Sequence, residues 1–166
     1  MFKIKKATYI KMLNHFKKNK LQYNILKIIY KLLPICVVAF YCLLVLYTFI
    51  WQFESLIKVI CIPAMVLIII TVLRKVINRQ RPYEKHKTES LFSKTSVGES
   101  MPSRHTASAF IISMTALYVN IYIGIVMLIV SCLIALSRVL AGVHYISDVV
   151  VASVISICFG MLFYII

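Results

Sequence analysis

Three ionisable residues lie close together in the apolar C-terminal third of the chain: Arg138, His144 and Asp148, the only aspartate. Charged groups in such a setting cost free energy, so they are usually paired with one another or functional. A helix can end near Ala141, with Gly142 in the left-handed conformation, and we expect the next helix to begin near His144. His144 and Asp148 would then share a helix face, so the carboxylate could hold one ring nitrogen and leave the other free as a nucleophile or base.

A structural role is the alternative for these residues: Arg138 and Asp148 could form a buried ion pair, with His144 a polar residue at the membrane interface. Two further polar patterns favour chemistry. Arg74 is followed seven residues later by Arg81 and a proline, and residues 102–105 read PSRH. Arginine presents a planar fork of donors that matches phosphate oxygens. Three such arginines with two histidines suggest phosphoryl transfer.

The PSRH stretch predicts the start of a helix. Ser103 is a favourable N-cap, so the first free backbone N–H groups and the positive helix end would favour an anion nearby. Arg104 and His105 follow directly in the first turn. Taken singly, His105 could be a helix-start histidine without function, and Arg74 and Arg81 could be headgroup-facing charges; together, the three patterns favour one site.

Composition indicates a multi-pass membrane protein. The 166 residues are 61% hydrophobic with a mean hydropathy of +0.91, well above soluble domains. Nine lysines precede residue 32, which suggests attraction to an anionic membrane surface, whereas all five arginines lie between residues 74 and 138. Nucleic acid is excluded as a partner, because no soluble domain could present a basic surface to it. The five cysteines are expected to be small buried hydrophobes, neither disulfides nor metal ligands.

The apolar pattern predicts an all-α bundle of five transmembrane helices preceded by an interfacial helix. Residues 1–31 form the basic amphipathic helix, without the apolar core or cleavage site of a signal peptide. Residues 32–166 form one catalytic domain. The predicted spans are Leu32–Phe53, Leu56–Leu73, Ser103–Tyr118, Ile123–Leu140 and Ile146–Ile166. This count places the polar loop 74–101, the start of the third span and the junction of the fourth and fifth spans on one membrane face.

The three patterns together resemble the type 2 phosphatidic acid phosphatase (PAP2) family, whose members share K-x6-RP, PSGH and SR-x5-H-x3-D. The resemblance covers about residues 74–148, and the third motif is matched in full, from Ser137 to Asp148. In the first motif Arg74 stands where the family has lysine, while Lys75 is one residue out of register, about 100° around a helix. In the second motif Arg104 replaces glycine. The family implies a six-helix fold, in which the lysine-rich N-terminal segment would supply the first helix.

The resemblance implies a phosphohistidine mechanism. His144 would attack phosphorus while Asp148 orients its ring, and His105 would protonate the leaving oxygen and then activate water. The phosphoryl oxygens would be held by Arg74, Arg81, Arg138 and Ser103, and the side chain of Arg104 would either join them or lie along the lipid headgroups. No metal or other cofactor is implied, and Asp148 is the only acid within the spans of the motif region.

The expected substrate is a lipid phosphate or diphosphate already in the bilayer, either phosphatidate or an isoprenoid diphosphate. A lipid phosphotransferase using the same histidine is one alternative, and a non-enzymatic anionic-lipid-binding protein or transporter is another. The expected location is the cell membrane. Because lysines favour the cytoplasmic side, we expect a cytoplasm-facing site, whereas an outer-face site would require residues 7–31 to cross as a sixth span.

Overall fold

The computed structural model describes residues 6–165, and all regular secondary structure in that range is helical. The prediction of an all-α membrane bundle is confirmed. A 3₁₀ turn at Phe53–Ser55 links the second and third helices. The helices are α1 (Lys6–Lys18), α2 (Lys20–Trp51), α3 (Leu56–Ile77), α4 (Pro82–His86), α5 (Arg104–Val119), α6 (Ile121–Leu140), α7 (Ile146–Gly160) and α8 (Leu162–Ile165).

Five long helices follow α1, in agreement with the predicted spans. Four helical segments are long and apolar enough to cross a membrane: Lys20–Trp51, Phe53–His86, Ile121–Leu140 and Ile146–Ile165. The remaining long helix, α5, is not among these four and has only 16 residues. At 1.5 Å per residue it is about 24 Å long, somewhat less than a hydrocarbon core of about 30 Å.

Helix α5 is the centre of the bundle and packs against α2, α3, α6 and α7. Its small residues Ala107, Ala109 and Ala116 are buried, which lets the neighbouring backbones come close. Hydroxyl groups inside the bundle are paired: Ser113 lies 2.8 Å from Ser131 of α6, and Ser156 of α7 donates to the carbonyl of Ala107. These contacts hold the N-terminus of α5 at the same end as the C-terminus of α6.

The N-terminal helix is shorter than expected. We predicted an interfacial helix over residues 1–31, whereas α1 ends at Lys18 and α2 starts at Lys20. Asn19 separates them because its side-chain oxygen caps α2, accepting from the N–H of Gln22 at 3.1 Å. The first span therefore begins about three turns before Leu32, and its basic first turns extend beyond the apolar part.

Helix α1 packs on the protein as well as presenting a polar face. Its Tyr9 and Leu13 are buried in a cluster with Tyr83, Leu91 and Val143, which belong to the connections between the long helices. The Tyr9 hydroxyl donates to the carbonyl of Gly142 at 3.1 Å. The apolar stripe of α1, which could equally have faced lipid, covers these connections because they offer an apolar surface.

The expectation that the cysteines are buried is wrong. All five are free and lie on the outer surface of the bundle, where an apolar thiol can contact lipid tails as readily as a protein core. They are Cys36, Cys42, Cys61, Cys132 and Cys158.

Candidate active site

The sequence-predicted site residues all lie at the end of the bundle where α3 ends, α5 begins and α6 connects to α7. The connection from α3 to α5, which contains α4, folds over this end. Six of the eight predicted residues are buried, namely Arg74, Arg81, Ser103, Arg138, His144 and Asp148, while His105 is half-buried and Arg104 is exposed.

Each of the three buried arginines donates one hydrogen bond to a main-chain carbonyl and has further N–H groups that could bind a ligand. Each has one buried N–H group with no partner among the described residues: Nε of Arg74, Nη1 of Arg81 and Nε of Arg138. A buried donor without an acceptor is expensive, so the arrangement favours an anion. The donor contacts are Arg74 Nη1 to Pro102 O at 3.1 Å, Arg81 Nε to Gly98 O at 2.9 Å, and Arg138 Nη2 to Tyr30 O at 2.9 Å.

Register at the end of α3 decides which basic residue enters the site. Arg74 is buried there and lies 3.6 Å from Glu99, whereas Lys75, the next residue, is exposed.

The guanidinium of Arg138 is also stacked 4.0 Å from the ring of Tyr30, which fixes its plane. Within residues 6–165, the ion pair of Arg74 with Glu99 is the only one that any of Arg74, Arg81 and Arg138 makes.

A lysine outside the sequence motifs, in the connection from α3 to α5, lies near these arginines. Lys94 is half-buried, and its charge interacts with those of Arg81, Arg138 and Arg74. Burial, with these neighbouring positive charges, lowers the pKa of Lys94 to about 8. No sequence motif marks this lysine, because its position depends on the path of a loop.

His144 lies before α7, not in it. The helix begins at Ile146, so the expectation that His144 and Asp148 share a helix face is wrong. Nδ1 of His144 is still 3.5 Å from Oδ2 of Asp148, although this is longer than an ordinary N–H···O hydrogen bond. Burial lowers the pKa of His144 to about 4; Asp148 opposes the shift, and the charges of Arg81 and Arg74 add to it. The imidazole is therefore neutral at physiological pH.

Asp148 is fully buried and accepts from several donors. Arg79 Nη1 lies 2.6 Å from its Oδ1, the N–H of Tyr145 lies 3.0 Å from Oδ2, and the Ser100 hydroxyl donates to the same oxygen. Arg79 also contacts Ser147 Oγ at 2.7 Å. This carboxylate joins the loop before α5 to the first turn of α7.

The alternative Arg138–Asp148 ion pair is absent from the described residues, because Arg79 occupies that carboxylate and Arg138 is bound to Tyr30. Sequence reasoning missed Arg79 and Ser100. One available signal was that a lone aspartate in an apolar segment needs a positive partner.

Ser103 is the N-cap of α5, as predicted, but its hydroxyl does not cap the helix. It accepts instead from the Thr106 hydroxyl at 3.0 Å, while its N–H donates to the carbonyl of Asp148. The start of α5 is thus tied directly to the start of α7.

His105 and Arg104 lie between the arginines and an apolar cavity. His105 lies near the positive groups of Arg138 and Lys94 and near His144, and Arg104 lies near Arg74. Both also line a cavity of about 190 Å³ whose other walls are mainly apolar, with Pro34, Val37 and Ile134 among them.

These features define a multi-pass helical membrane protein with a buried, strongly basic site at one end of the bundle. The chain belongs to the PAP2 superfamily, whose family model matches residues 55–166 and so includes all the predicted site residues. No functionally curated protein matches the chain in sequence.

The solved structures that share this fold include the following two. LpxE of Aquifex aeolicus is 23% identical with a TM-score of 0.65, covering 87% of this chain and 94% of its own. The PAP2-type phosphatidylglycerolphosphate phosphatase of Bacillus subtilis is 16% identical with a TM-score of 0.58, covering 95% and 91%, respectively.

Proposed function

We propose that this protein is a membrane phosphatase that hydrolyses lipid phosphates or diphosphates through a phosphohistidine. The observation that carries the proposal is the set of three buried arginine N–H groups that have no partner among residues 6–165, at the same end of the bundle as the neutral, buried His144. The family assignment adds support, as does the fold shared with a phosphatidylglycerolphosphate phosphatase. The substrate would reach the site from the bilayer, since the site lies at the end of membrane helices.

The free donors of Arg74, Arg81 and Arg138 would bind the phosphoryl oxygens, where charge is spread in the transition state. The free ring nitrogen of His144 then attacks phosphorus. An N–P bond forms while the bond from phosphorus to the leaving oxygen breaks, and its electron pair departs with that oxygen. His105 would give the leaving oxygen a proton.

Hydrolysis of the phosphohistidine completes the cycle. Water attacks phosphorus, His105 accepts a proton from it, and the electron pair of the N–P bond returns to the imidazole. Inorganic phosphate leaves, and both histidines are restored. Dividing one displacement into two in this way is the usual benefit of a covalent intermediate.

Asp148 would act on His144 by charge and by position. Its negative charge 3.5 Å from Nδ1 stabilises the positive ring that forms during transfer. Its shorter contacts, to Arg79, Ser100 and Tyr145, hold the loop that carries His144.

We propose that the reaction needs no metal ion. Among residues 6–165 no group of three or more His, Cys, Asp or Glu side chains is placed to hold one. Arginines would instead supply the positive charge that a metal provides in many phosphatases.

Release of phosphate by the purified protein, measured over a panel of lipid phosphates with chelator present, tests the proposal. We expect release by the parent and by His15→Ala, whose histidine is exposed on α1, and loss of at least about a thousandfold in His144→Ala. Activity that chelator abolishes and magnesium restores would contradict the metal-free mechanism. Transfer of phosphate to a second lipid would identify a phosphotransferase, and binding without turnover would identify a non-enzymatic lipid-binding protein.

A further inference from the structure

Glu84 is an acidic residue close to Arg81 in the chain, and its carboxylate binds main-chain N–H groups. It lies in the first turn of α4 and is half-buried. Its Oε2 accepts from the N–H of Arg81 at 2.7 Å and from the N–H of Gly98 at 3.0 Å, and its Oε1 also lies 3.0 Å from the nitrogen of Gly98. The carboxylate therefore joins the start of α4 to the loop that precedes α5.

The side chain of Arg81 is bound to the same glycine. Its Nε donates to the carbonyl of Gly98 at 2.9 Å, while its buried Nη1 has no partner among residues 6–165. Gly98 thus contacts Glu84 through its N–H and Arg81 through its carbonyl. Because a guanidinium is planar and rigid, the position of Gly98 also sets the direction of the free Nη1.

Gly98 has little freedom to take another position. Its φ is +63°, and a Cβ atom there would lie 2.4 Å from Oδ1 of Asn78. The same Oδ1 accepts from the N–H of Glu99, but at 3.3 Å and as a neutral acceptor. The contacts of Glu84 are shorter and have a charged acceptor, so they are the stronger attachment of this segment.

The carboxylate of Glu84 forms no ion pair with the guanidinium of Arg81. The ion pairs found within residues 6–165 involve Arg74, Arg79 and His144. Glu84 therefore fixes the surroundings of Arg81 through the main chain and leaves the charge of its guanidinium available to an anion.

We propose that Glu84 is a positioning residue of the phosphate site, which acts through Gly98 to direct the free N–H group of Arg81 at the substrate phosphate. This inference rests on the proposed function, in which Arg81 binds phosphoryl oxygens. Glu84 itself does not touch the substrate. Its removal leaves the arginine in the chain but releases the glycine that orients it, so the contact of Arg81 with phosphate is weakened.

A double-mutant cycle separates positioning from a general effect on folding. We expect Glu84→Ala to lower kcat/KM for a lipid phosphate about ten- to a hundredfold in the parent, as for loss of one hydrogen bond to a charged group. In Arg81→Lys, which lacks the planar fork, the same change should cost less than about threefold, because the contact is already lost. Equal factors in the two backgrounds would show that Glu84 acts on the fold alone and would overturn the inference.

Two further variants keep the test decisive. Glu84→Gln retains one oxygen that can accept from the main chain, so it should be at least about threefold more active than Glu84→Ala, and it replaces alanine in the cycle if the alanine variant does not fold. Glu89→Gln, at an exposed acid of the same connection, is the matched control and should keep the activity of the parent. A loss in Glu89→Gln as large as that in Glu84→Gln would overturn the inference.

Binding of inorganic phosphate to the same variants distinguishes this inference from the proposed function. We expect Glu84→Ala to weaken phosphate binding at least about tenfold in the parent and less than about threefold in Arg81→Lys. If the parent hydrolyses no lipid phosphate but this pattern holds, the phosphatase proposal fails and the positioning role stands. Phosphate binding that is absent in the parent, or unchanged in Glu84→Ala, would overturn the positioning role whatever the parent hydrolyses.

Discussion

A substitution of Asp148 would change two things at once: the electrostatic environment of His144 and the attachment of the loop over the site. Asp148 lies 3.5 Å from His144, compensates the charge of Arg79, whose side chain is only 12% exposed, and ties loop 87–103 to α7 through Ser100. Removing one member of a buried ion pair typically costs about 3 to 5 kcal/mol, because the other charge is left unpaired. A loss of activity in a variant at this position could therefore reflect stability alone.

We predict that Asp148→Asn lowers both the thermal stability and the activity of the protein, whereas Asp148→Asn combined with Arg79→Gln recovers much of the stability. The double variant removes both charges, so no buried charge is left unpaired. Its activity should stay at least about a hundredfold below the parent, since no carboxylate remains to stabilise the imidazolium.

Thermal unfolding in detergent and phosphate release from one lipid substrate, measured on the parent, both single variants and the double variant, check this prediction. Recovery of activity together with stability in the double variant would show that Asp148 acts only through Arg79.

At the scale of elements, the turn between α6 and α7 sets the position of His144. Gly142 has φ of +72°, a left-handed conformation that L side chains rarely adopt. A Cβ atom there would lie 2.6 Å from the hydroxyl of Tyr9, so α1 packs directly on this glycine. The turn and the docking of α1 therefore depend on the same residue.

We predict that Gly142→Ala displaces α1 and lowers the thermal stability more than Tyr9→Phe does. Alanine adds backbone strain and a clash, whereas phenylalanine loses only the hydrogen bond to Gly142, worth about 0.5 to 1.5 kcal/mol. Limited trypsin digestion of the purified protein should cut the lysine-rich α1 faster in Gly142→Ala. Equal protection of α1 in this variant and the parent would show that the turn tolerates the added methyl group.

At the scale of the whole molecule, α1 and the site lie at the same end of the bundle. With 13 residues, α1 is about 20 Å long, too short to cross a hydrocarbon core of about 30 Å. Basic residues near the ends of spans favour the cytoplasm, and they are concentrated at this end, while Lys58 lies near the opposite one.

We predict that the site faces the cytoplasm. A cysteine at Val97, which is 82% exposed in the loop over the site, should react with a membrane-impermeant thiol reagent only after cells are permeabilised. The matched cysteine at Tyr122, 79% exposed at the opposite end of the bundle, should react in intact cells. The reverse pattern would place the site on the outer face.

The membrane fold, the long helices and the motif residues could be predicted from the amino-acid sequence, because apolar run length and the spacing of Arg138, His144 and Asp148 are local properties of the chain. The sequence also predicted the left-handed Gly142 and the N-cap position of Ser103, which depend on a few neighbouring residues.

Contacts between residues far apart in the chain could not be predicted in this way and became visible in the folded protein. Arg79 reaches Asp148 across 69 residues, and Lys94 joins the arginines through the path of a loop that has no periodic pattern. The start of α7 at Ile146 depended on capping by Asp148, and the docking of α1 depended on an apolar surface assembled from separate connections. Such contacts are set by how the helices pack, and neighbouring residues in the chain carry little information about them.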